Sequence, residues 1–378
     1  MRIGIDYTAA VRQRAGIGRY ARSLIRALAR LDHENAYVLL SAGKEADGEP
    51  WPANFSLRTL PLTDRHLSIL WQKLRLPLPV EWLTGRLDLF HSPDFVLPPV
   101  RRARTVVTIH DLSFLRLPDC SSPALLEYLM SAVPRSVARA DIILADSQST
   151  QQDLVDLMGV SAERIRVVYP AVDETFMRSD QAGVMAVRAR HQIDGPYILS
   201  LGTLQPRKNY VRLIEAFQML KQTSGIPHRL VIGGGPGWLY EPIYETIERL
   251  GLQDQVRMLG YVDESDLPAL YTGADVFCFP SLYEGFGIPV LEAMACGTPV
   301  VASNTSSLPE AAGDAALLVS PTDTDALADA LGRAIDDTDL RAQLVQSGLS
   351  QCQRFSWRDS AGVLHMAYME LLQGANHV

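Results

Sequence analysis

Cysteine is scarce and scattered: Cys120, Cys278, Cys296 and Cys352 are the only four in 378 residues, and no two stand in Cys-x2-Cys spacing. A zinc ribbon or a dithiol redox motif is therefore not expected, and reduced buried thiols are the default reading. Long apolar runs are missing too, so nothing approaches the roughly 20 residues needed to span a bilayer. The start, Met1-Arg2-Ile3-Gly4-Ile5-Asp6, lacks a charged leader and a small-residue cleavage site and reads directly as a first strand, which points to a cytoplasmic protein. Positive charge is in deficit, with a formal net charge of −8; no nucleic-acid partner is expected, because a phosphate-neutralising surface would show in that balance. The glycine run Gly233-Gly234-Gly235-Pro236-Gly237 has no following Lys-Ser/Thr, which disfavours a nucleoside triphosphatase.

What is present is apolar sequence cut into short pieces. With 47% hydrophobic residues and a length that suits two cores, strand-like runs alternating with helical patterns predict α/β domains with parallel sheets. The first set covers Arg2–Asp6, Tyr37–Leu40, Ser56–Leu60, Leu87–Phe90, Thr105–Ile109, Ile142–Ala145 and Ile165–Val168. The second covers Tyr197–Leu201, Leu230–Ile232, Val256–Leu259, Val276–Phe279, Pro299–Ala302 and Ala316–Val319. The expected domains are 1–172 and 196–356, joined by a linker over 173–195, with a helical tail over 357–378.

Ala15-Gly16-Ile17-Gly18-Arg19-Tyr20-Ala21 opens a helix and fits the Gly-x-Gly-x-x-Ala dinucleotide fingerprint. That fingerprint requires its first glycine directly after a strand and an acid about 20 residues on. Here about nine residues intervene after Asp6, and the second strand runs into Ser41-Ala42-Gly43, so a nicotinamide or flavin enzyme is set aside. Gly16 and Gly18 then read either as a loop whose backbone approaches a ligand or as a plain helix-start turn. The stretch 67–83 mixes Leu67, Ile69, Leu70, Trp71 and Trp82 with Lys73 and Arg75; it reads as core helix plus loop, broken by Pro77 and Pro79, or as a weakly membrane-facing element. Ser149-Thr150-Gln151-Gln152 reads as a capping box. His110, at the end of a strand, sits where ligands bind in open α/β sheets, although a lone His there reads equally as a structural hydrogen-bonder.

In the second half, Arg207 and Lys208 stand together at the start of a helix, where cations oppose the dipole, so a ligand is expected to bring the negative charge. Gly234 is read as letting a base or ribose approach, and Tyr261-Val262 as offering backbone groups to the base. The most informative stretch runs from Pro280 to Gly297. Val276–Phe279 enters it as a strand, and Pro289 with Gly297 brackets a short helix, leaving a loop that holds Glu284 and ends on the free amides of a helix start. Glu284 and Glu292, placed in the first helical turn, could grip different hydroxyl-bearing parts of one ligand; as a bland alternative, both are ordinary solvated or dipole-facing acids.

Glu284-Gly285-Phe286-Gly287 through Glu292, followed by Gly297-Thr298-Pro299-Val300-Val301-Ala302, resembles the donor-sugar signature of the retaining glycosyltransferases of family 4. The resemblance extends over essentially the whole chain and implies two Rossmann-like, doubly wound parallel-sheet domains facing across a cleft, the GT-B fold, with the C-terminal helix packed back on the first domain. It implies that Glu284 and His110 meet the donor sugar near the reacting centre, that Phe286, Gly287 and Ile288 offer loop amides to sugar and phosphate, and that Glu292 holds the ribose. Arg207 and Lys208 would bind the diphosphate, although many members carry Arg where this chain has Thr203, and the Gly16–Gly18 loop would face phosphates and acceptor. The Leu112-Ser113-Phe114 and Leu117-Pro118 context resembles mannosyltransferase-like members, making GDP-mannose the first donor expected and a glycan, lipid-linked molecule or small molecule the acceptor. No metal is expected: the cation pair and the helix start can neutralise a leaving diphosphate, and the chain is read as holding no Asp-x-Asp pair, an expectation corrected below. Two readings from other classes share the plan, a nucleotide-sugar epimerase or sugar phosphorylase, and a non-catalytic nucleotide-sugar-binding protein.

Overall fold

The computed structural model describes residues 1–13, 16–43 and 50–374; Ala15, at the edge of the first glycine loop, and the last residues of the tail lie outside them. The chain divides into two compact units. Unit 1 holds Met1–Leu115, Ala124–Pro170 and Ser356–Val378; unit 2 holds Arg116–Pro123 and Ala171–Phe355.

Unit 1 is built on a seven-stranded parallel sheet: β1 (Arg2–Asp6), β2 (Ala36–Ala42), β3 (Phe55–Leu60), β4 (Leu89–Ser92), β5 (Arg104–Ile109), β6 (Ile142–Ala145) and β7 (Ile165–Val167), in the order 3-2-1-4-5-6-7. Its strands are continuous apolar runs because helices cover both faces. One face packs Ile3, Ile5 and Leu39 against Leu24, Ile25 and Leu28 of the helix Ile17–Leu31, and against Leu364, Ala367 and Tyr368 of the helix Trp357–Gly374. The tail therefore completes the core of unit 1. It is also tied by polar contacts, since Tyr368 meets His91 Nδ1 at 2.6 Å and Glu370 accepts from Arg166 at 2.6 Å.

Unit 2 carries a six-stranded parallel sheet: β8 (Tyr197–Leu201), β9 (Arg229–Gly233), β10 (Val256–Gly260), β11 (Val276–Phe279), β12 (Val300–Ser303) and β13 (Leu317–Val319), ordered 10-9-8-11-12-13. The residues read as a linker contribute the helix Gln181–His191 to this unit. Both sheets reverse their winding once, between β1 and β4 and between β8 and β11. In a doubly wound sheet the crevice for ligands opens at the carboxyl ends of the strands at that reversal.

The stretch 67–83 is core on one side only. Leu67 and Val80 are buried, while a helix over Asp64–Ser68 passes into a π-helical turn over Ile69–Lys73 and ends before the prolines. The capping reading is corrected in place: Ser147, two residues before the expected position, caps the helix Gln148–Met158 by accepting from the Thr150 amide at 3.0 Å.

Candidate active site

In unit 2 the loops after β8 and β11 flank the winding reversal and are stitched together by their own backbone. The Leu282 amide donates to the Arg207 carbonyl at 2.8 Å, and Asn209 Nδ2 bridges the carbonyls of Pro280 and Pro321 at 3.0 and 2.8 Å. Asn209 adopts a left-handed φ of 60°, which its short polar side chain tolerates. Arg207 and Lys208 lie in the 3-10 turn Pro206–Lys208 just before the helix Tyr210–Ser224.

Both cations reach one carboxylate. Arg207 Nη1 stands 2.7 Å from Glu284 Oε2 and Lys208 Nζ 2.6 Å from Oε1. Arg207 also donates to the Tyr283 carbonyl at 2.6 Å, and Lys208 lies 4.6 Å from the centre of the Phe279 ring. Glu284 is buried, which by itself would raise its pKa, but the two cations hold it at about 2. The expectation that only a ligand supplies negative charge here is thus revised: the chain brings its own counter-ion. Two cations against one carboxylate still leave the cluster with a positive excess for a further anion. Ser306 Oγ accepts from the Glu284 amide at 2.9 Å, and Ser307 Oγ donates to the carbonyls of Glu284 and Phe286 at 2.8 Å each, so the loop is held from behind.

The helix Ile288–Ala295 begins after Gly287, whose φ of 124° is closed to other side chains. Glu292 lies in the second turn of that helix, not the first, and is almost fully buried, with Tyr271 donating to its Oε2 at 2.8 Å. The dipole reading of Glu292 is therefore replaced by a neutral hydrogen-bond partner on a neighbouring helix. Phe286 is buried against Phe355 in an edge-to-face contact, so its contribution to a site is its backbone.

Two of the glycines lie against the chain's own backbone. A Cβ on Gly234 would lie 1.9 Å from the Gly202 carbonyl oxygen at a φ of 155°, so this glycine lets one loop of the chain approach another. Likewise a Cβ on Gly18 would lie 2.0 Å from the Gln13 carbonyl oxygen, and Gly16 takes a φ of 58°. Gly18 is thus closed in by the chain's own backbone, whereas an added Cβ at Gly16 would meet nothing within 4 Å. Tyr261, beyond β10, is about half exposed, whereas Val262 is buried.

In unit 1, His110 follows β5 at the carboxyl edge and is buried between the rings of Tyr20 and Phe95, at 5.0 and 5.3 Å. Its Nδ1 is 2.8 Å from Asp146 Oδ2 and its Nε2 2.9 Å from the Pro93 carbonyl. Burial opposes the charged ring, but Asp146, Asp94 and the carbonyl outweigh it and raise the pKa to about 9. A carbonyl only accepts, so the ring is a protonated double donor at neutral pH. Asp6, Asp94 and Asp146, at or just beyond the ends of β1, β4 and β6, were not singled out from the sequence; an acid directly following an apolar strand run was the available signal for Asp6 and Asp146. Nothing in the sequence marked Tyr271 or the two serines.

Among the described residues no group of three His, Cys, Asp or Glu is arranged to hold a metal ion. Two Asp-x-Asp pairs do occur, Asp323-Thr324-Asp325 and Asp337-Thr338-Asp339, and each is a helix cap: Asp323 accepts from the Ala326 amide at 2.9 Å and Asp337 from the Leu340 amide at 2.9 Å.

Comparison with known proteins assigns the family and the fold. Residues 186–351 match the family model "Glycosyl transferases group 1", and residues 14–176 match "Glycosyltransferase Family 4". The chain is 33% identical to the O-antigen chain mannosyltransferase B of Escherichia coli over 91% of its length and 93% of that protein's. It is also 33% identical to a D-inositol 3-phosphate glycosyltransferase of Corynebacterium jeikeium, over 77% of this chain and 71% of the other. Its fold is that of a sucrose-phosphate synthase structure from Thermosynechococcus elongatus, with a TM-score of 0.76 over 99% of this chain and all of the other, at 22% identity.

Proposed function

The chain belongs to the group 1, family 4 glycosyltransferases and is a hexosyltransferase, and from that premise we propose that it moves mannose from GDP-mannose to a glycan or lipid-linked acceptor with retention of anomeric configuration. The observation that carries the donor half of this reading is the Arg207–Lys208–Glu284 cluster at the winding reversal of the second sheet. Its positive excess suits a diphosphate, and the positive end of the helix that begins after Gly287 adds to it. As the bond from the anomeric carbon to the diphosphate oxygen breaks, negative charge grows on the leaving group. Arg207 and Lys208 stabilise that charge without rearranging solvent. Glu284 then accepts from hydroxyls of the sugar, and Glu292 with Tyr271 receives the ribose.

Mannose as the transferred sugar is supported by the similarity to the E. coli mannosyltransferase, which matches this chain at 33% identity over nearly its whole length. The cations and the helix start take the part a divalent ion would play, so no metal is needed. Incubation with a panel of nucleotide sugars in excess chelator tests both points. GDP-mannose is expected to be consumed fastest, at a rate the chelator leaves unchanged. Turnover abolished by chelator and restored by magnesium or manganese would contradict the metal-free account, and preference for a UDP-sugar would contradict the donor.

A further inference from the structure

At the carboxyl edge of the first sheet the polar groups are of two kinds. His110 is committed: both ring nitrogens have acceptors, Asp146 and the Pro93 carbonyl, and only 6% of the residue is exposed, so the ring has no N–H left for a substrate. Asp6 is engaged as well, its Oδ1 accepting from the Thr8 amide at 2.9 Å. Asp94, just beyond β4, is of the other kind. It is partly exposed, and the side chain that hydrogen-bonds it is that of Gln13, itself exposed. Burial raises the pKa of Asp94, while the His110 charge and Gln13 act to keep its carboxylate ionised. The next residue, Phe95, takes a φ of 54°, a left-handed conformation uncommon for an aromatic residue, and its amide donates to the Thr108 carbonyl at 3.0 Å. Such backbone outliers cluster at active sites. Tyr128, partly exposed on the helix Pro123–Arg139, completes the group: it lies near enough to Asp94 to feel its charge, and Ser68 hydrogen-bonds its hydroxyl.

We propose that Asp94 holds an uncharged sugar as acceptor, accepting a hydrogen bond from the hydroxyl that is to be glycosylated, and that His110 stands behind it as a fixed opposite charge without touching substrate. This rests on the transfer reading given above. An ionised carboxylate only accepts, which suits a hydroxyl proton, and the bond is charge-assisted. The hydroxyl oxygen bonds to the anomeric carbon as that carbon's bond to the diphosphate oxygen breaks, and the hydroxyl proton leaves on the diphosphate. Asp94 aims the oxygen and ends the reaction ionised, as it began. Tyr128 adds an apolar ring with a polar tip, which suits a ligand that carries both C–H faces and hydroxyls. Charge then selects among acceptors. Asp6, Asp94 and Asp146 gather about the His110 ring, three acids for one imidazolium, so a phosphorylated sugar is repelled where an uncharged one is not.

Saturation-transfer NMR of the full chain with GDP present reads sugar binding directly, apart from turnover and from which nucleotide sugar is the donor. The probes are methyl α-mannoside, methyl β-N-acetylglucosaminide and mannose 6-phosphate. The parent protein is expected to bind at least one methyl glycoside and to reject the phosphate. Asp94→Asn keeps the shape and removes the charge; it should weaken sugar binding about tenfold or more while GDP affinity, read by calorimetry, is unchanged. Gln13→Ala, an exposed change that releases Asp94, should weaken sugar binding by less. A parent protein that binds neither methyl glycoside, or that prefers mannose 6-phosphate, would overturn the proposal, as would undiminished binding by Asp94→Asn. Loss of GDP affinity in step with sugar affinity would mark Asp94 as structural and overturn it too. Preference for a UDP-sugar in the donor panel, by contrast, sinks the donor reading alone.

Discussion

His110 places both ring nitrogens on acceptors, and that pairing fixes its charge more firmly than its position on the strand does. With the ring's pKa raised to about 9 by Asp146 and its neighbours, Asp146→Asn should bring the titration back toward the ordinary value near 6.5, which an NMR pH titration of the ring protons reads directly. An unchanged titration would contradict the pairing. At Glu284 the ion pairs make a different demand. A free nucleoside diphosphate must compete with this carboxylate for Arg207 and Lys208, so Glu284→Gln should bind the free nucleotide more tightly while slowing transfer. Lys208→Ala should weaken both, by about 2 kcal/mol for a lost charge-assisted hydrogen bond; calorimetric titration separates the two variants, and weaker nucleotide binding by Glu284→Gln would oppose the competition. These residue types and their loops were legible in the sequence because the ends of apolar strand runs announce where a loop begins. Their mutual contacts were not, since Arg207 and Glu284 are 77 residues apart and only the strand order brings their loops together.

Elements were easier to read than their ends. The runs at β1, β6, β8 and β11 match the structure to the residue because buried parallel strands are unbroken apolar stretches with polar or glycine boundaries. Helix starts were less legible: Ser147 rather than Ser149 caps its helix because several serines and threonines compete there, and Glu292 sits a turn deeper because the helix already begins at Ile288, before Pro289. Glycine was the least legible residue, since a missing side chain does not say what takes its space. Gly234 and Gly235 offer a contrast within one loop. An added Cβ at Gly234 strikes the Gly202 carbonyl, whereas at Gly235 it meets nothing within 4 Å, and only Gly234 has positive φ. Gly234→Ala should therefore lower the melting temperature by several degrees, for a cost of about 2 kcal/mol or more, while Gly235→Ala leaves it nearly unchanged. Equal effects at the two positions would contradict the packing of these loops.

At the scale of the whole molecule, the two-sheet plan followed from alternation alone, whereas two buried histidines of unit 1 shape the pH response around neutrality: His110, which its place at a strand end marked, and His91, which nothing in the sequence marked. His110, with a folded pKa near 9, holds its proton more tightly folded than unfolded, so its contribution, on the order of 3 kcal/mol, is complete below pH 6.5 and lost as pH rises to 9. His91, kept neutral by burial with a pKa of about 3, works the other way: the unfolded ring protonates first, so stability is lost as pH falls from 6.5 toward 3. Thermal unfolding should show maximal stability near pH 6.5, and a flat profile from there to pH 9 would contradict a charged His110. The family's chemistry, however, is decided elsewhere, at the bond that this arrangement is proposed to exchange. An NMR assignment of the anomeric proton and carbon of the product formed from GDP-mannose tests that claim most directly. The account predicts an α-mannoside, the configuration of the donor; a β-mannoside would contradict it.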